Sequence, residues 1–147
     1  MDILDCVAES NRIEGITRRP LRAEIDEHLR FIALESLTIP DLERFVKVYQ
    51  PDAELRVRAG LDVRVGSHIP PRGGEHIREQ LQALLVAINA EEVTPWEGHM
   101  QYETLHPFTD GNGRSGRAVW YWQMASSSMA SLGFLHAFYY QTLQGKR

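Results

Sequence analysis

"LHPFTDGNGRSGRAVW", residues 105–120, places a histidine, an acid, three glycines and two arginines between apolar flanks. The segment before it, from Pro95 to Leu105, has helical spacing, so the glycines follow a helix. Pro107 disfavours helical geometry at His106, which ends that helix about there and presents the histidine at its C-terminal end. Gly111, Gly113 and Gly116 spell GxGxxG, but a dinucleotide site needs a strand before them and an acid about 20 residues later, and both are missing. Read as GxxxxGK[ST], the stretch has Arg117 for lysine and Ala118 where a hydroxyl must hold magnesium. A protein kinase needs separate catalytic motifs and far more chain. What survives is an anion nest at a helix start, in a mainly helical chain.

Outward from this stretch the pattern stays helical. Residues 2–14 predict a short helix ending at Gly15, a suitable C′ glycine. Pro20 suits the first turn of a helix with an apolar face of Leu21, Ile25, Leu29, Ile32 and Ala33. Pro40 starts another, carrying Leu42, Phe45, Val46 and Tyr49. In "LDVRVGSHIPP", Leu61, Val63 and Val65 alternate with Asp62 and Arg64 before Gly66-Ser67, which predicts a strand, a turn and a second extended arm. Pro70 and Pro71 make that arm an edge. Helical spacing returns at Ile77, Leu81, Leu84, Leu85 and Ile88. The last helices, with Trp120, Trp122, Phe134 and Phe138, read as core, and the two tryptophans are taken for packing residues in preference to an adenine platform.

Composition bounds the function. A chain of 147 residues with 43% hydrophobic content is about one domain with a real core. "MDILDCVAES" lacks the basic residues of a signal peptide, and "LQALLVAI", residues 81–88, is too short to span a bilayer, so a cytoplasmic protein without membrane attachment is expected. A lone Cys6 supplies neither a disulfide framework nor a metal cluster. Net charge is −4, yet no acid follows Asp110, so the chain beyond the glycines is locally electropositive. Two arginines are too few for a nucleic-acid footprint and suit a small anionic ligand.

The residues of the nest define a chemistry. Asp110 can cap the following helix, the backbone of residues 111–113 can turn N–H groups toward phosphate oxygens, and the helix dipole adds positive potential. Arg114 and Arg117, three apart, add two charged forks on one helix face. His106 reaches the same place as a general base, and Asp110 is the natural magnesium ligand, since magnesium takes one or two carboxylates plus phosphates.

"HPFTDGNGR" followed by "SGR", residues 106–117, resembles the complete Fic motif HPFxDGNGRxxR of the Fic-domain nucleotidyltransferases. The resemblance extends through "VRVGSHIPP", similar to the family's flap hairpin, and the helix over residues 74–90. It implies an all-α fold, a compact Fic-type helical bundle with one small β-hairpin flap over the active site, in a single domain over residues 1–147. It also implies a reaction in which a hydroxyl of a target protein attacks the α-phosphate of ATP, AMP is transferred and pyrophosphate leaves. His106 would take the hydroxyl proton. Asp110 would hold Mg2+, while Asn112 and the backbone at Gly111 and Gly113 would stabilise the transferred group. Arg114 would contact the β-phosphate region, Arg117 would orient the γ-phosphate, and Phe108 would anchor the loop.

"SNRIEG", Ser10 to Gly15, fits the (S/T)xxxE(G/N) pattern by which the family restrains itself. The resemblance therefore implies an inhibitory helix over residues 1–15, with Glu14 offering a bidentate carboxylate to Arg117 and Ser10 holding the helix. The flap over residues 61–72, with Val63, Val65, Gly66, His68 and Ile69, would dock an extended target segment at its free edge. Expected partners are a target protein at the flap and the enzyme itself through self-modification, and a homo-oligomer is compatible with this reading. Related proteins transfer UMP or phosphocholine, phosphorylate or remove AMP, and a nucleotide-binding regulatory module stays open as a second class. His99 is expected to be structural, and His28, His76 and His136 carry no pattern.

Overall fold

The computed structural model describes residues 2–126; Phe134, His136 and Phe138 lie outside them. Its organising element is a helix with almost no exposed face: of α6, Asn112–Ser126, every residue from Arg114 to Met124 is buried. A helix buried all round must be surrounded. The surrounding helices are α1 (Ile3–Ile13), α2 (Arg22–Ile32), α3 (Ile39–Tyr49), α4 (Glu75–Asn89) and α5 (Pro95–Leu105). Helices α1, α2, α3 and α5 pack directly on α6, and α4 covers α5. Close approach of α5 depends on Gly116, where a Cβ would collide with Glu103 and Tyr102. The result is the expected all-α bundle, with a core that includes Phe31, Phe45, Ile77, Leu85, Tyr102 and Trp122. No helix among the described residues is long and apolar enough to cross a membrane.

Local chemistry sets the helix ends. Thr38 caps α3 by accepting from the Asp41 N–H, with Pro40 in the first turn. Thr94 and Glu97 form a reciprocal capping box at the start of α5, each side chain accepting from the other's backbone N–H at 3.1 Å. Helix α1 closes at Glu14, followed by Gly15 at φ +81°, a left-handed position that glycine adopts without a Cβ clash.

Two expectations need correction. Helix α2 begins at Arg22 and turns Glu24, Glu27, His28 and Phe31 inward, while Leu21 and Leu29 are 52% and 50% exposed. Polar pairing overrides the apolar stripe. The Glu24 carboxylate accepts from Arg18 twice at 3.0 Å, from Asn11 at 3.2 Å and from the Leu21 N–H at 2.8 Å. Burial raises its pKa, but Arg18 and these donors outweigh that and leave it lowered. Glu27 is likewise held between Arg30 and Arg44.

The second concerns residues 61–72, which form no two-stranded hairpin. The segment is extended chain closed by one antiparallel bridge between Val65 and His68. Their reciprocal bonds, 3.0 and 2.9 Å, enclose a tight turn with Gly66 at φ +59°. Pro70 and Pro71 remove two donors from the returning arm, so the ladder cannot lengthen. Side chains hold its base instead. Arg56, fully buried, donates Nη1 to the carbonyls of Leu61 (3.0 Å) and Pro71 (2.8 Å), Nη2 to that of Leu105 (2.9 Å) and Nε to that of His106 (2.7 Å).

These contacts lead to two expectations. Replacing Arg56 by methionine strands four carbonyls and is expected to cost at least about 3 kcal/mol in denaturant unfolding. His28 is buried against Phe45 and Tyr49, and burial, with help from Arg117, lowers its pKa to about 4. The unfolded chain therefore takes up a proton near pH 6.5 that the folded one refuses. Its contribution is complete above about pH 6.5 and is lost as pH falls toward about 4. Over that interval His28→Leu should show a shallower decline in unfolding free energy than the parent, and equal slopes would assign the decline elsewhere.

Candidate active site

The loop between α5 and α6 is over-determined by hydrogen bonds. His106, the C-cap of α5, sits in the left-handed region at φ 51°, ψ 63°, and its N–H still bonds the Tyr102 carbonyl at 2.9 Å. Phe108 is buried and bridges Leu55 in antiparallel fashion. Asn112 clamps it from the other side, accepting from the Phe108 N–H at 2.9 Å and donating to its carbonyl at 2.8 Å. The Tyr102 hydroxyl bonds Ser115 Oγ at 2.7 Å, and that hydroxyl in turn reaches the Gly111 carbonyl at 2.8 Å. The backbone here cannot drift far from one shape.

These constraints aim several groups into one cavity. Its walls include His106, Thr109, Asp110 and residues 111–113 from the loop, and Arg117 from α6. Helix α1 contributes Glu14, and the turn over residues 63–65 contributes Val63, Arg64 and Val65. His106 is half-buried, and burial lowers its pKa, partly opposed by the nearby Glu103 carbonyl. The imidazole is thus biased toward its neutral, proton-accepting form. Asp110 is exposed at the cavity and one carboxylate oxygen, Oδ1, accepts from the Gly111 N–H at 2.8 Å. It does not cap α6, because that bond reaches its own neighbour and leaves the first-turn donors untouched. No group of three or more metal-binding side chains occurs among the described residues. A single exposed carboxylate with one oxygen left uncommitted nonetheless offers the oxygen donor that magnesium carried by a nucleotide would take.

Helix α1 lies against the start of α6. Arg117, 5% exposed, donates Nε to Ser10 Oγ at 2.9 Å and Nη2 to the Ser10 carbonyl at 3.1 Å. Its Nη2 also meets Glu14 Oε2 at 3.3 Å. The expected pair is therefore present through one contact, not as a bidentate fork, because Ser10 takes Nε and shares Nη2 with the carboxylate. Both Glu14 oxygens stand 3.1 to 3.2 Å from the position a Cβ would take on Gly113. The carboxylate thus occupies the mouth of the anion nest.

Three sequence-derived roles change. Asn112 is 2% exposed with its amide spent on Phe108, so it braces the loop and is not aimed at a transferred group. The Gly111 N–H is taken by Asp110, which leaves the nest one donor short. Arg114 is buried, its guanidinium 4.4 Å from the Tyr49 ring centre and one nitrogen 3.5 Å from Asn11, and it does not line the cavity. Gly66, His68 and Ile69 also stand outside the cavity wall, with Ile69 67% exposed. His68 Nε2 bonds the Thr104 carbonyl at 3.0 Å and tethers the turn to α5. His99 is structural as expected, with Nδ1 donating to the Gly116 carbonyl at 3.1 Å. Trp120 and Trp122 are buried, as packing residues should be.

Arg56 was not singled out from the sequence, although it joins the base of the turn to the loop between α5 and α6. Its only signal is position: in "AELRVRAG" it alternates with the apolar Leu55 and Val57, an arrangement that also suits a solvated edge.

A family model for the Fic/DOC family matches residues 47–124, a span from the end of α3 through the loop, α5 and most of α6. That is more than half of the chain, and it encloses the cavity-forming loop, its Arg56 brace and Arg117; the chain belongs to the Fic/DOC family.

Proposed function

We propose that this chain is a protein adenylyltransferase, moving AMP from ATP to a Ser, Thr or Tyr hydroxyl of a target protein and restrained by its own Glu14. The observation that carries this reading is convergence. A base-biased histidine, an exposed carboxylate, the backbone of residues 111–113 and the inner arginine of the motif share one cavity at the start of α6.

The target oxygen would attack the α-phosphorus as His106 accepts the hydroxyl proton. The bond from that phosphorus to the αβ-bridging oxygen would break, and pyrophosphate would carry the charge away. Asp110 would be the protein ligand for Mg2+, which supplies charge neutralisation along the phosphates. The dipole and the N–H groups of residues 112 and 113 favour anionic oxygens there. Arg117, held by Ser10, would orient the γ-phosphate once Glu14 withdraws. With Glu14 in place, ATP would bind with its α-phosphate out of line for attack.

Removal of AMP is a second reading, favoured by the position of Glu14 beside the same cavity. Offering an AMP-modified target and following free AMP separates the two directions.

Glu14→Gly is expected to raise AMP transfer, self-modification included, by about 10- to 100-fold. Ser10 should still position Arg117 in that variant. An unchanged rate would reduce "SNRIEG" to a helix end. His106→Ala, introduced into the released variant, should lower transfer by about 10²- to 10⁴-fold while ATP binding measured by calorimetry persists. Transfer that survives the substitution would remove His106 from the chemistry.

A further inference from the structure

The cavity has an unusual charge balance. Three carboxylates line it, from Glu14, Glu103 and Asp110, against two guanidinium groups, from Arg64 and Arg117. Arg117 is already occupied by Ser10 and Glu14. Arg114, the other motif arginine, is buried beneath Tyr49 and away from the cavity. A polyanionic nucleotide entering this space would meet net negative charge, an Arg117 engaged through Nε and Nη2, and Arg64, which has no ion pair or hydrogen bond among the described residues.

Arg64 comes from outside the HPFxDGNGRxxR stretch. It stands on the leading arm of the 65–68 turn, exposed, and makes no ion pair or hydrogen bond with any described residue. Its position is nonetheless restrained. Arg56 grips the chain on both sides of it through the Leu61 and Pro71 carbonyls. Asp62 accepts from the Gly73 N–H at 2.8 Å, and His68 ties the far side of the turn to Thr104. A guanidinium carried on such an arm loses less freedom on binding than one on a loose loop.

We infer that Arg64 is a nucleotide-binding residue, contacting the phosphates of ATP from the turn side of the cavity. This rests on the nucleotide-transfer reading and deepens it. The planar fork suits phosphate oxygens, and Arg64 shares the cavity wall with residues 111–113. It would also let the restrained state bind nucleotide. While Glu14 holds Arg117, Arg64 supplies the compensating charge, and release of Glu14 adds Arg117 to it.

The test uses the full chain carrying His106→Ala, so that nothing turns over, with calorimetric titration of ATP plus magnesium and, separately, of adenosine. Arg64→Gln should weaken ATP by about tenfold or more and leave adenosine unchanged, with Arg64→Lys recovering part of the loss. Equal weakening of ATP and adenosine would show that Arg64 merely shapes the cavity and would overturn the inference. Unchanged ATP affinity would overturn it too. If that variant, with His106 restored, then requires more of an acidic target peptide to reach half-maximal transfer, Arg64 belongs to target recognition. Failure of the His106→Ala parent itself to bind ATP would defeat the nucleotide-transfer reading and this inference together, whereas ATP binding indifferent to Arg64 defeats this inference alone.

Discussion

The Arg56 guanidinium, buried with no carboxylate in ion-pair contact among the described residues and spread over four backbone carbonyls, is the constraint on which the site depends. Two of those carbonyls, from Leu105 and His106, end α5; the other two, from Leu61 and Pro71, close the base of the turn that faces them. Burial pulls its pKa down, and nearby Asp62 offsets part of that. A buried charge is tolerable only when its donors are satisfied, and here each of the four contacts fixes a separate piece of chain. The left-handed backbone at His106 persists because Arg56 holds its carbonyl and Asn112 locks Phe108 two residues on. The histidine is placed by its supports.

The other organising fact is that the motif arginines lie on a helix with almost no exposed face. Arg114 and Arg117 are each 5% exposed, so their charges must find partners inside the protein. Asn11 and the Tyr49 ring serve Arg114, and Ser10 and Glu14 serve Arg117. Structure and proposed regulation are therefore the same contacts. The α1 residues that satisfy Arg117 include the anion with which, under the proposed function, a nucleotide would have to compete. Glu14, with its side chain 35% exposed, would be the removable partner in that proposal, while Ser10 is 1% exposed.

Much of this was legible in the sequence, and the failures have physical causes. Helix positions followed from apolar spacing and from proline and glycine punctuation, and the loop motif located His106, Asp110 and Arg117 in one cavity. The inward face of α2 was misread because Glu24 and Glu27 are buried with arginines supplied by other segments, which periodicity of apolar residues cannot reveal. Alternation in "LDVRV" suggested a strand, but an alternating run needs a partner with free donors, and the two prolines remove them. Asn112 was assigned to the transferred group by motif position, and Arg114 to phosphate by motif position and its spacing from Arg117. Their amide and guanidinium turn out to face Phe108 and Tyr49, a matter of side-chain direction that spacing does not encode. Arg56 has no partner visible in the sequence, because its partners are backbone carbonyls.

The central claim is that the cavity transfers the adenylyl group of ATP. The most direct measurement incubates the Glu14→Gly protein with magnesium and ATP labelled at either the α- or the γ-phosphate, then follows the label in protein. The account requires the α-label to become protein-bound and the γ-label to leave as pyrophosphate. Protein that retains the γ-label and excludes the α-label, or that acquires neither while binding ATP, would contradict it.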